Sequence, residues 1–152
     1  MLMMTMILAL IQAESSGNDL AIGDNGNAFG CLQIHKIYVE DVNRILGYDK
    51  FTHSDAFDRV DSIHMFVIYT DHYATAKRIG RKPTVEDRVR IHNGGPNGWK
   101  KQSTTPHWKK VKNILNDHAR HPLSNFPQRK TSTRFTASIA AKMHMATACT
   151  TT

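Results

Sequence analysis

Residues 2–14 contain neither glycine nor proline and are mostly Met, Leu, Ile and Ala, and the run stops at Ser15, Ser16, Gly17 and Asn18. An apolar stretch of this length predicts a buried helix, and the helix-breaking cluster ends it with Glu14 at its C-terminus. Leu20, Ala21 and Ile22 then lead into Gly23, Asp24, Asn25 and Gly26. An Asn-Gly pair beside a short apolar run predicts a hairpin, because both central residues of a type I′ turn need positive φ. Asp24 is expected on that small ribbon.

Further along, the apolar period turns helical. Val39, Val42, Ile45 and Leu46 share one face of a helix over residues 38–46 that Gly47 ends. The longest helix is expected over residues 54–79, with Phe57, Val60, Ile63, Val67, Thr70 and Ala74 inward and Gly80 as its C-cap. Thr84 and Asp87 have capping-box spacing and open a helix through Val89 and Ile91 that must stop at Asn93, Gly94, Gly95 and Pro96. Thr105 and Pro106 begin a last helix, to about residue 118, with Trp108, Val111, Ile114 and Leu115 on its inner face. The pattern is that of a mainly α (α+β) domain over residues 1–120 with one hairpin near its start. From 121 to 152 Ser, Thr, Pro and basic residues dominate, so this stretch reads as a partly irregular extension, with a short helix expected at 138–145.

Composition narrows the class. With 152 residues, 40% of them hydrophobic, the chain can bury one sizeable core. Lys and Arg outnumber Asp and Glu by 20 to 13, and the net charge of +7 draws the protein toward anionic polymers without choosing among them. Two cysteines, Cys31 and Cys149, exclude a disulfide-dense scaffold and are expected as free thiols. The apolar start lacks the basic flank of a signal peptide and is too short to span a bilayer, so it is taken as a core helix and no stable membrane insertion is expected. Nine histidines include no H-E-x-x-H pair and no Cys/His quartet; His118 and His121 alone are a poor ligand set, so neither metal nor another cofactor is expected. Lys100 and Lys101 beside Trp99, and Lys109 and Lys110 beside Trp108, read as a solvated basic face.

The candidate chemistry lies in two carboxyl groups. Cleaving a glycosidic bond needs a proton donor for the leaving oxygen and, as a rule, a second carboxylate for the positive charge that develops on the sugar. Glu14 suits the donor, since an apolar helix desolvates it and the negative end of the helix dipole disfavours its charged form. Asp24, on a polar turn, is expected to remain ionised.

Three segments place this pair in a known context: Ala13-Glu14-Ser15-Ser16-Gly17-Asn18, Gly30-Cys31-Leu32-Gln33-Ile34 and Ile91-His92-Asn93-Gly94-Gly95-Pro96. Their order resembles the E-S-G, G-x-x-Q-I and Y-N-A-G-P series of the lysozyme-like superfamily, as in lytic transglycosylases and goose-type lysozymes. The last segment is more similar still to invertebrate-type lysozymes, which also place an Asp before G-x-x-Q-I. Here the loop from Asp24 to Gly30 is one residue shorter than in that type and its many cysteines are missing, which points to a bacterial or bacteriophage member.

The resemblance implies a muramidase that hydrolyses the β-1,4 bond between N-acetylmuramic acid and N-acetylglucosamine, with Glu14 as general acid and Asp24 as second carboxylate. Gln33 would bond an N-acetyl group or brace Glu14, and Asn93, Gly94 and Gly95 would line the saccharide groove, the glycines admitting a sugar close to the backbone. Apart from the resemblance, Tyr69 and Tyr73 lie one turn apart on the expected long helix, and either suits stacking on a sugar face or holding Glu14 by its hydroxyl, with Tyr73 the one preferred. The expected partner is bacterial peptidoglycan, met by a monomer outside the cytoplasm or delivered by phage, with no nucleic acid involved. Two other readings stand beside this one: a lytic transglycosylase that leaves 1,6-anhydro ends, and a non-catalytic glycan-binding or phage-particle module.

Overall fold

A computed structural model describes residues 2–120; the expected extension over 121–152, its helix at 138–145, His121 and Cys149 lie outside the described residues. Helix α1 (Leu2–Ser15) is followed by three two-residue strands, β1 (Ile22–Gly23), β2 (Ala28–Phe29) and β3 (Ile34–His35). Then come α2 (Lys36–Leu46), α3 (Arg59–Tyr73), the single turn α4 (Ala76–Ile79), α5 (Val85–Gly94) and α6 (Thr105–Arg120).

Because α1 is apolar on all sides, it forms the centre of the domain: Met6, Ile7, Ala9, Leu10, Ile11 and Ala13 are buried, and the helix packs on α6 and α5. Helix α3 lies against α2 and α5. One contiguous core joins these helices through Leu32, Val42, Met65, Phe66, Val89, Ile91 and Val111. Among the described residues no helix is long and apolar enough to cross a membrane.

The hairpin departs from the expected two-residue turn. Asp24, Asn25 and Gly26 are all left-handed, with φ of 48°, 53° and 91°, and the amide of Asn27 returns to the carbonyl of Gly23 at 3.1 Å. The Asn27 side chain closes the loop on the Asp24 carbonyl at 2.9 Å, which lengthens the connection to four residues. β2 pairs antiparallel with both neighbours, Phe29 opposite Ile22 on one side and Ile34 on the other.

The long helix expected over 54–79 is three pieces. Thr52 and Asp55 form a capping box that closes a 3-10 turn over His53–Phe57. Asp58 then accepts bonds from the backbone amides of Val60 (2.8 Å) and Asp61 (3.0 Å), starting α3 afresh, and Thr75 does the same for α4. Short polar side chains that bond the backbone compete with a continuous helix, and here they win twice. The inner face of α3 also differs from the expected stripe. Ser62, Met65, Phe66, Tyr69, Thr70 and Tyr73 are buried while Val60 is exposed. Ser62 and Thr70 tolerate burial because their hydroxyls donate to the carbonyls of Ala56 (2.6 Å) and Phe66 (2.8 Å), which leaves the larger rings to set the face.

Candidate active site

Glu14 occupies the last turn of α1, and the chain on either side of it is tied down. Ser15 donates from Oγ to the carbonyl of Cys31 at 2.9 Å. Arg59, at the start of α3, holds both the Gly17 carbonyl and the Asp19 carboxylate at 2.7 Å, which fixes the turn after Glu14. The Glu14 side chain is only 17% exposed. Burial pushes its carboxyl up to about 7, and the nearby Lys110, which donates from Nζ to the Ala13 carbonyl, pulls in the opposite direction. Near neutral pH this group therefore exchanges a proton, as a general acid must.

Two imidazoles make their nearest approach to the same oxygen, Glu14 Oε1: His107 Nε2 from α6 at 3.2 Å and His92 Nε2 from α5 at 3.7 Å. His92 Nε2 also lies 3.0 Å from the Leu32 carbonyl, which can only accept, so the proton is on Nε2 and Nδ1 faces the Tyr38 hydroxyl at 3.4 Å. Burial pushes His92 down to about 4 and, with the charge of Lys110, lowers His107 as well. Both rings are held toward their neutral forms beside the acid.

Glu14 itself lines neither of the two spaces near it; His92, 3.7 Å from its Oε1, lines a cleft of about 620 Å³. Asn93, Gly94 and Gly95 form one wall, and Tyr38 and Tyr69, stacked with ring centres 3.8 Å apart, form part of the floor. An adjoining hollow of about 320 Å³ contains Asp24, and His35 and Ile37 belong to both spaces. Asp24 is 61% exposed, with its carboxylate 3.5 Å from His35 Nε2. The two candidate carboxyls thus differ as the chemistry requires, one buried and one in water.

Gln33 and Tyr73 are placed elsewhere. The Gln33 amide donates to the carbonyls of Gly30 (2.9 Å) and Ala21 (3.4 Å), staples the small sheet, and lines neither space. Tyr73 is buried; its hydroxyl donates to Asp41 at 2.6 Å and accepts from Arg44 at 2.7 Å, and Tyr69 one turn earlier faces the cleft in its stead. Sequence reasoning weighed Tyr69 beside Tyr73 and preferred Tyr73; it missed His35, Tyr38, His107 and Lys110 as parts of this site. Only His92 had a signal, being inside the segment Ile91-His92-Asn93.

The non-glycine residues with positive φ among the described residues are Ser16, Asp24, Asn25 and Gln33. Ser16 follows Glu14 by two residues, Asp24 and Asn25 are the second carboxyl's own turn, and Gln33 lies on the loop before β3. Cys31 is no candidate nucleophile, since burial pushes its thiol up to about 11, with the nearby Asp19 adding to the effect. Among the described residues no group of three or more His, Cys, Asp or Glu side chains is placed to hold a metal ion.

No protein-family model matches the chain, and no curated protein matches it significantly. Solved structures do. A chain in the crystal structure of Aeromonas hydrophila PliI in complex with Meretrix lusoria lysozyme superposes with a TM-score of 0.63 and 26% identity, covering 76% of this chain and 92% of that one. Tapes japonica lysozyme superposes with a TM-score of 0.60, also at 26% identity, over 72% of this chain and 88% of its own. The chain has a lysozyme-like fold. Its helices, packed with the buried α1, and a small antiparallel sheet are the scaffold that carries Glu14 and the cleft.

Proposed function

We propose that the chain is a muramidase acting on bacterial peptidoglycan, hydrolysing the β-1,4 bond between N-acetylmuramic acid and N-acetylglucosamine. The observation that carries this reading is the carboxyl of Glu14, pushed up to about 7 by burial and in contact with a residue that lines the cleft. A sugar chain enters along Asn93, Gly94 and Gly95, where the glycines let it approach the backbone. Glu14 gives its proton to the leaving oxygen. Asp24, in the adjoining hollow, supplies the second carboxylate, which stabilises or captures the positive charge on the sugar or activates water. The enzyme works as a monomer on wall material outside the cytoplasm, and its net positive charge favours that anionic surface.

Mass spectrometry of digested peptidoglycan tests the reading. Reducing N-acetylmuramic acid ends are expected from the wild type, none from Glu14→Gln, and far fewer from Asp24→Asn. Products ending in 1,6-anhydro sugars would replace hydrolysis by transglycosylation, and full activity in Glu14→Gln would remove the acid assignment altogether.

A further inference from the structure

His107 plays no part in the reaction as outlined, yet its Nε2 is a buried polar atom without a hydrogen-bond partner. It lies 3.2 Å from Glu14 Oε1, a bonding distance, with the N–H direction off the line between the two atoms. Hydrogen bonds of catalytic groups are often loose in unliganded sites and tighten when substrate arrives. A small rotation of the ring closes this one and satisfies the nitrogen.

The surroundings decide which atom donates. Oε1 is also the oxygen nearest His92 Nε2, which carries a proton because it bonds the Leu32 carbonyl. On the side of α6 the charged group facing Glu14 is Lys110, a cation; on the side of α5 it faces the neutral imidazole of His92, on which His35 also acts. Oε1 therefore faces only N–H donors and positive charge among these groups, which makes it the oxygen that keeps the lone pairs.

We propose that His107 is a positioning residue whose Nε2–H holds Glu14 Oε1, so that the exchangeable proton resides on Oε2 and is presented to the glycosidic oxygen. This rests on the reading of Glu14 as general acid. When the proton leaves, the carboxylate formed is met by a donor already in place, with no reorganisation at the moment of transfer. Glu14 then recovers a proton from water to begin the next turnover.

The test is nuclear magnetic resonance on the full chain, with nitrogen-15 in histidine and carbon-13 in the glutamate carboxyls. In the wild type His107 is expected as the Nε2–H tautomer at pH 7. In His107→Phe the ionised form of Glu14 loses its donor, so the titration midpoint of Glu14 rises by about one to two pH units. His107→Gln, which restores an N–H at nearly the same reach, returns the midpoint most of the way. Because the apolar Phe ring by itself also disfavours the charged form, a merely structural role for His107 would leave the Gln variant no closer to the wild-type midpoint than the Phe variant. An Nδ1–H tautomer in the wild type, or a midpoint that falls or stays in His107→Phe, overturns the proposal; the tautomer and the Gln variant decide it if the Phe variant does not fold. These readouts do not depend on wall cleavage, so an active Glu14→Gln enzyme would remove Glu14 as the general acid and leave the Glu14–His107 hydrogen bond standing.

Discussion

Replacing Glu14 by Gln keeps the shape of the side chain and removes its charge, and burial determines how stability responds. The native carboxyl titrates at about 7 against 4.5 in a solvated chain. Below pH 4.5 both native and unfolded states hold the proton, and the wild type incurs no penalty. As the pH rises from 4.5 the unfolded chain releases its proton while the native one retains it, so stability falls, and the loss is complete once the pH passes 7. A shift of this size corresponds to roughly 3 kcal/mol at 1.36 kcal/mol per unit. For a domain of this length that is on the order of 10 °C in Tm. Thermal unfolding of the wild type and Glu14→Gln from pH 4 to pH 9, followed by circular dichroism, should show curves that nearly coincide at pH 4, separate between about pH 4.5 and 7, and stay a constant distance apart above that, with the variant the more stable. The absolute curves also carry the stability that His92 and His107, both held neutral by burial, add as the pH rises through their titration, so the difference between the two proteins is the readout, and a constant gap across that range would refute a buried, neutral Glu14.

Three other substitutions probe what surrounds the site. Gly30 has φ of +75° and an added Cβ would meet the Ala56 carbonyl oxygen at 1.7 Å, so Gly30→Ala should cost about 3 kcal/mol or more in urea unfolding. Asp87 is buried, takes both terminal nitrogens of Arg81 at 2.6 and 2.9 Å, and caps α5 through the Thr84 amide; Asp87→Ala should cost about 2 kcal/mol by the same measurement, Arg81 being half-exposed and able to turn to water. Tyr73→Phe loses bonds to Asp41 and Arg44, which should cost about 1 kcal/mol and leave the Glu14 titration midpoint unmoved. A moved midpoint would mean that the hydroxyl acts on the acid after all.

What the sequence disclosed was local. The end of α1 could be read from Ser15 to Asn18, the αL caps from Gly47 and Gly80, and the start of α5 from the Thr84–Asp87 box, because each depends on residues within one turn of each other. The break at Asp58 was equally local but was overridden by the run of apolar residues around it, which matched a helical period. Across longer distances pattern gave no guidance. His107 and Glu14 are 93 residues apart, and a histidine two positions into a basic amphipathic helix looks like a surface residue until α6 is laid on α1. Tyr38 and Tyr69 meet only because α2 packs on α3, and the hydroxyl of Tyr73 is taken by a side-chain pair on the neighbouring helix. Position relative to a breaker placed Glu14 at the end of α1; the groups around it required the fold.

The most direct measurement of the central claim is the rate of clearing of a Gram-positive wall suspension against pH, for the wild type beside Glu14→Gln. Wild-type clearing should fall as the pH rises through about 7, where Glu14 gives up its proton, and the variant should clear nothing at any pH. A variant as active as the wild type, or a wild-type rate that climbs through that range, would contradict it.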